Sequence, residues 1–259
     1  MIAKHHFKTR GIVLRTIDYS DADRIVSFIT EDMGKITGMA KGARKSQKRF
    51  ANALEPFTCL SVLFSRRKGS KMSLVEETAI VDHHSGIRDD LEKSLTAAYF
   101  MDLANQFILE GKRQPALFHL LDHFLNILEK EKYSDGMIRF FELRFLRLAG
   151  YEPMLDRCSL CNRPIQGNLP YFFSPSTGSI RCRVCYEQRP LNDSMPVSMG
   201  TIRTMLLGKD SDLNLMSRIL MTEQCARECR GLLSSFIRYL LGKELKSLHV
   251  LNDVRRMGL

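Results

Sequence analysis

The sequence predicts an α+β fold in more than one domain. Three observations carry that prediction. Short β-branched runs separated by turn residues fill the first third of the chain. A helical apolar period takes over from residue 88, and four cysteines in two close pairs interrupt the helical part. At 259 residues the chain is long enough for two ordinary domains, and 44% hydrophobic against 26% charged residues is the balance of a chain that buries a real core. The change of period sets a boundary between a β domain over 1–83 and a helical domain over 84–259, with the cysteine module inserted at about 154–190.

Five runs read as strands: "RGIVLRTIDY", "DRIVSFIT", "KITGMAKGA", "FTCLSVLFS" and "MSLVEETAIVD". "EDMG" is a tight connection between the second and third, and the third strand should end near Ala43. Five strands in so short a span suggest a small closed barrel. A five-stranded Greek-key barrel of the oligonucleotide-binding (OB) type is one solution, and an SH3-like barrel fits the spacing nearly as well.

The helical part starts with "RDDLEKSLTAAYFMDLANQFILEG", where Leu91, Leu95, Ala98 and Tyr99 recur behind Asp89 and Asp90 as caps. In "QPALFHLLDHFLNILEKE", Pro115 stands near a first turn and Leu117, Leu120, Leu121, Phe124 and Leu128 share a face. "SDGMIRFFELRFLRLAG" should start at Ser134 and stop at Gly150. A further helix pair is expected at about 198–207 and 211–245.

Cys158 and Cys161 in "CSLC", with Cys182 and Cys185 in "CRVC", give C-x2-C, twenty residues, C-x2-C. Two-residue spacing lets both sulfurs of a knuckle reach one ion, and two knuckles complete a tetrahedron of thiolates. The expectation is one structural Zn²⁺, because four cysteines leave no coordination position open for chemistry. Gly167, Pro170, Pro175 and Gly178 supply turns between short strands in the insert. Cys225 and Cys229, four apart, read as small core residues of a helix, and Cys59 as strand core.

Thirty-nine Lys and Arg face 29 Asp and Glu, a net charge of +10 that favours a polyanionic partner. Residues 1–80 hold 15 of the cations and 8 of the acids, so most of the excess lies in the predicted barrel. It concentrates in "AKGARKSQKRF", which carries Lys41, Arg44, Lys45, Lys48 and Arg49 with no acid. Lys35 and a second patch of Arg66, Arg67, Lys68 and Lys71 could extend the same cationic track along a polyanion. Candidates for base stacking are Phe50, Phe57 and Phe64, the last two read as core. "HLLDH" (His119 to His123) echoes a metalloprotease pattern without a third ligand, and Asp18, Asp21 and Asp23 read as a polar turn. No phosphate-cradling glycine loop and no nucleophile motif is present, so no enzymatic activity is expected. The chain lacks a secretory leader pattern or an apolar run long enough to span a bilayer; cytoplasm, without membrane association, is the expected location.

"YSDADRIV", "TEDMGKI", "AKGARKSQKRF" and "LEPFTCL", in that order and spacing, resemble the N-terminal region of the bacterial recombination mediator family RecO. "FELRFLRLAGYEP" and "LGKELKSLHVL" resemble later parts of the same family. The resemblance implies an OB-type barrel followed by a helical domain with an inserted zinc module. It also implies binding to single- and double-stranded DNA, annealing of complementary strands, and action with RecR to load RecA onto DNA coated with single-strand binding protein (SSB), whose C-terminal tail is a further implied partner. Bacterial cytoplasm, in association with the nucleoid, follows from that role. A zinc-ribbon transcription regulator is the alternative reading of a basic, four-cysteine chain.

Overall fold

The computed structural model describes residues 4–67, 69–70, 72–131, 134–167, 169–212 and 219–257. Five strands, β1 (Lys4–Asp18), β2 (Arg24–Thr30), β3 (Gly34–Ala40), β4 (Cys59–Arg67) and β5 (Ser73–Asp82), close into a barrel in the order β1-β2-β3-β5-β4. Neighbours are antiparallel except at the β3–β5 seam, which pairs parallel through Gly38↔Ser73, Met39↔Leu74 and Ala40↔Val75. A Cβ on Gly38 would lie 2.7 Å from Val75 Cγ2, so a side chain there would force the seam apart. Alternation along β3 sends Ile36 and Ala40 into the core and leaves Thr37 and Met39 half-exposed.

The third strand stops at Ala40, three residues earlier than expected. The Ala43 N–H turns back to the Ala40 carbonyl, and Arg44 N–H bonds to Ala22 O at 3.0 Å. Ala43, Phe50, Ala53 and Leu54 then enter the same apolar core as Val13, Phe28, Leu60 and Val75. The connection between β3 and β4 therefore anchors four apolar residues in the barrel core while its cations stay exposed.

Two compact units divide the chain. One comprises Met1–Lys132 with Leu245–Leu259, the other Tyr133–Glu244. In the first, the barrel is followed by α1 (Ser85–Arg88), α2 (Leu91–Phe107) and α3 (Pro115–Lys130), and α8 (Lys246–Met257) returns to pack on α2. Asp90 caps α2 by accepting the Lys93 N–H at 3.0 Å. The buried face of α2 runs through Ala97, Phe100, Leu103 and Ala104, and Leu91 is 57% exposed; the Leu91–Leu95 stripe does not mark the core, because α1, α3, α8 and β1 cover several sides of this helix. On α3 all five expected apolar residues are buried.

The second unit contains α4 (Asp135–Ala149), capped by Ser134 and ended at Gly150 as the sequence indicates. Then come β6 (Met154–Cys158), β7 (Tyr171–Ser174), β8 (Ser179–Cys182), α5 (Arg183–Gln188) and β9 (Met195–Val197), forming a small sheet in the order β6-β8-β7-β9. Helices α6 (Met199–Asp210) and α7 (Glu223–Leu241) close the unit against α4. The last expected helix covers only Glu223–Leu241 of its range, and 213–218 lie outside the described residues.

Candidate metal centre and nucleic-acid interface

The four knuckle cysteines converge. Cys158 ends β6, Cys161 follows in a turn closed by Asn162 N–H to Cys158 O at 2.9 Å, Cys182 ends β8, and Cys185 lies in the first turn of α5. Ser159 N–H bonds to Ile180 O at 2.9 Å, which fixes the first knuckle against the strand carrying the second. Their Sγ atoms all lie within 4.8 Å of one another, and Cys161 and Cys182 are 3.9 Å apart. A regular tetrahedron of thiolates about 2.3 Å from zinc has sulfur–sulfur edges of about 3.8 Å. The group fits one metal ion.

The chemistry of the donors agrees. Burial works against ionisation of Cys158, yet N–H groups of Cys161, Cys182 and Leu160 outweigh it and bring the thiol down to about 6. One of those donors, Cys182 N, lies 3.4 Å from the Cys158 sulfur. Cys185 is pushed up to about 12 by burial and by the three neighbouring sulfurs. Cys158 is thus favoured as a thiolate beside three further sulfurs, a donor set that suits a dication. The arginines around the knuckles are in part engaged locally: Arg157 with Asp156 and Arg183 with Glu187, each at 2.8 Å, and Arg181 with the Arg189 carbonyl.

A second group among the described residues, Asp82, His84 and Glu129, also brings its ligand atoms within 4.8 Å. Internal hydrogen bonds account for that grouping. His84 Nδ1 shares one with Glu129 Oε2 at 2.8 Å, Gly86 N–H donates to Glu129 Oε1, and His84 N–H donates to Asp82 Oδ1. They lace the turn after β5 to α3. Cys225 and Cys229 are buried on α7 with their sulfurs 3.9 Å apart, as core residues. Asp122 of "HLLDH" lies 3.4 Å from Arg10, and His119 faces Glu31 at 3.5 Å. In "DYSDADR", Asp18 pairs with Arg24 at 2.9 Å and Asp23 Oδ1 accepts the Gly42 N–H at 2.8 Å.

Strand register shows which cations share a surface. Asp18 lies opposite Arg24, Arg24 opposite Ala40, Ala40 opposite Val75, and Val75 opposite Phe64. The β1–β2 turn, the start of the cationic segment and the Arg67 end of β4 therefore meet at one rim of the barrel. Lys41 and Arg67 line a groove there of about 270 Å³, with Met39, Met72, Leu74, Ser65, Ser70 and Ser73. Arg44 binds the β1–β2 turn through Ser20 O at 3.0 Å and Asp18 at 3.6 Å. Arg49 donates to Lys41 O at 3.1 Å and lies over the Phe50 ring, while Lys45 and Lys48 are exposed. Arg66 is half-buried and donates to Ser73 Oγ at 3.1 Å.

Lys35 stands apart. It is the second residue of β3, six residues from Lys41 and about 20 Å away along an extended strand. Its ammonium donates to Asn105 O at 2.6 Å, and burial lowers its pKa. Lys68 and Lys71 lie outside the described residues. None of the three phenylalanines is available for stacking: Phe50 is 3% exposed, and Phe57 and Phe64 are buried as expected. The exposed aromatic at this rim is Tyr19, 62% exposed in the β1–β2 turn next to Ser20. Sequence reasoning passed over it; an aromatic set among the polar residues of "DYSDADR" was the available signal.

Comparison with known proteins settles the lineage. Residues 1–84 match the family "Recombination protein O N terminal", and residues 88–249 match "Recombination protein O C terminal". The chain belongs to the RecO family. A protein of Syntrophus aciditrophicus (strain SB) named DNA repair protein RecO is 46% identical over 252 residues, covering 97% of each chain. Relatives of the same name from Desulfatibacillum aliphaticivorans and Anaeromyxobacter sp. (strain K) are 36% and 33% identical, each over at least 95% of both chains. This RecO-family chain thus has the barrel, the helices and the four-cysteine group expected of it. Among its described residues, no helix is long and apolar enough to cross a membrane.

Proposed function

We propose that this chain is a DNA repair and recombination mediator that binds single- and double-stranded DNA on the rim formed by the β1–β2 turn, the cationic segment and the Arg67 end of β4. In this reading it anneals complementary strands and, with RecR, helps load RecA onto SSB-coated single strands, performing no chemistry on a substrate of its own. Zinc in the four-cysteine group holds the small sheet together. The helical part engages the acidic, apolar-ended SSB tail, and the chain works in the bacterial cytoplasm at the nucleoid.

The observation that carries the reading is the groove shared by Lys41 and Arg67 on an OB-type barrel of a RecO-family chain, with Arg44 bound to the β1–β2 turn. OB barrels take oligonucleotides on the strand 2–3 face and on the loops after strands 1 and 4, which is this end of the barrel. Cations that neutralise phosphates release condensed counterions, so the repulsion stored among Lys41, Arg44, Lys45, Lys48 and Arg49 is offset once DNA arrives. A surface that tolerates two strands lowers their mutual repulsion, which is the physical requirement for annealing.

The test replaces exposed cations of the rim and leaves the anchored Arg44 and Arg49 in place. Lys41, Lys45, Lys48 and Arg67 changed together to Ala should weaken binding to all sequences alike, since phosphate contacts carry no base information. The log–log salt slope should become shallower by about 0.7 to 0.9 for each phosphate no longer neutralised. Strand annealing should fall in step. A control lacking Lys130, Arg203, Lys243 and Lys246 removes the same charge elsewhere and should change the slope less. Equal slopes in the two variants would remove the rim from the interface, and preference for one sequence in competition with random DNA would favour a transcription regulator.

A further inference from the structure

The groove at the β3–β5 seam is built differently from the cationic surface around it. Met39 and Leu74 face each other directly across the parallel pair, half-exposed on the outside of the barrel, and Met72 adds a third apolar side chain at 39% exposure. Lys41 and Arg67 stand on the same groove. At about 270 Å³ it falls short of the roughly 300 Å³ at which pockets for drug-sized ligands begin, so it has room for one small group. Two of its three serines spend their hydroxyl protons inside the protein: Ser65 on Glu76 Oε1 at 2.7 Å, Ser70 on Met72 O at 2.8 Å. Ser73 Oγ accepts from Arg66. What remains for a ligand is a polarizable apolar floor between two cations, with little capacity to read hydrogen-bonding edges.

We infer that this groove takes one unpaired base of a single DNA strand, its face against Met39, Met72 and Leu74 and its neighbouring phosphates near Lys41 and Arg67. The inference rests on the DNA-binding reading above and adds an interaction that duplex DNA cannot make, because a paired, stacked base offers no free face. Thioether sulfur is attracted to aromatic rings, and every base has such a face, so the interaction is tolerant of sequence. The groove supplies the base contact that the buried Phe50, Phe57 and Phe64 do not.

The test compares the native protein with M39A/M72A and M39L/M72L on three probes: a mixed-sequence single strand, the same strand with abasic sites, and the duplex. M39A/M72A should bind the single strand about 3- to 10-fold more weakly, and duplex affinity and salt slope should stay as in the native protein. M39L/M72L, which keeps the apolar floor, should recover most of that affinity. The native protein alone should bind the abasic strand more weakly than the intact one by a similar factor, a result that needs no variant to fold. Equal weakening on single strand and duplex, or indifference of the native protein to abasic sites, would overturn the assignment. Failure of the native protein to bind either DNA would instead overturn the DNA-binding reading, and the groove with it.

Discussion

Glu228 shows how single residues tie the second unit together. Its Oε2 accepts both the N–H and the hydroxyl of Ser198, the N-cap of α6, at 2.8 Å. Burial raises its pKa, but donors on Thr201, Ser198 and Gln224 outweigh burial and hold the carboxylate below its ordinary range. A carboxylate depressed in the folded state stabilises it above the unfolded value, near 4.3 for Glu, and that contribution is lost as pH falls through the folded pKa. Glu228→Gln should therefore lower the melting temperature at pH 7, and the gap between variant and native should narrow below about pH 4. Thermal melts of both proteins from pH 7 to 3 check it; a gap that widens in acid would refute the sign. At the same scale, residue type alone could not reveal that Lys35 binds the Asn105 carbonyl or that Phe50 is core, since both follow from what lies across the barrel.

At the scale of elements, the cysteine sheet depends most on a partner. Its strands are three to five residues long, and its buried apolar side chains are few, among them Tyr171, Phe173 and Ile180. A sheet this small would draw much of its folding energy from an ion held by its four cysteines. Purified protein should carry one zinc per chain, and Cys182→Ser or a strong chelator should remove it. Hydrogen exchange in 154–190 should then accelerate well before that of the barrel strands. Less than about half an equivalent of metal in carefully purified protein would count against this. The knuckles, α3 and α4 were legible in the sequence because spacing, apolar period and caps are local signals. The face of α2 was not, because neighbours on several sides bury residues outside any single stripe. Helix α8, absent from the sequence reading, has seven polar or charged residues in twelve and is held by Ser247 to Asp102 at 2.7 Å and Arg255 to Glu92 at 3.3 Å.

The whole molecule is not divided in the order its chain runs. Residues after Leu245 belong with the barrel-containing unit, so the segment Tyr133–Glu244 is inserted between two parts of the other unit. Deleting residues 245–259 should therefore destabilise the unit with the barrel and α2, while zinc content and the Tyr133–Glu244 unit are retained. Limited proteolysis with metal analysis distinguishes this from loss of the second unit first, the opposite outcome. By itself the sequence determined the mixed α+β class, the five strands, the capped helices and the four-cysteine group, because periodicity, turn residues and short ligand spacings act over a few residues. Only the tertiary structure decided that Lys41 and Arg67 share a groove while Lys35 does not, that Met39 meets Leu74, and that α8 joins the barrel's unit. Those juxtapositions come from strand pairing and helix docking between distant parts of the chain, and no local pattern encodes which distant partner a residue will meet.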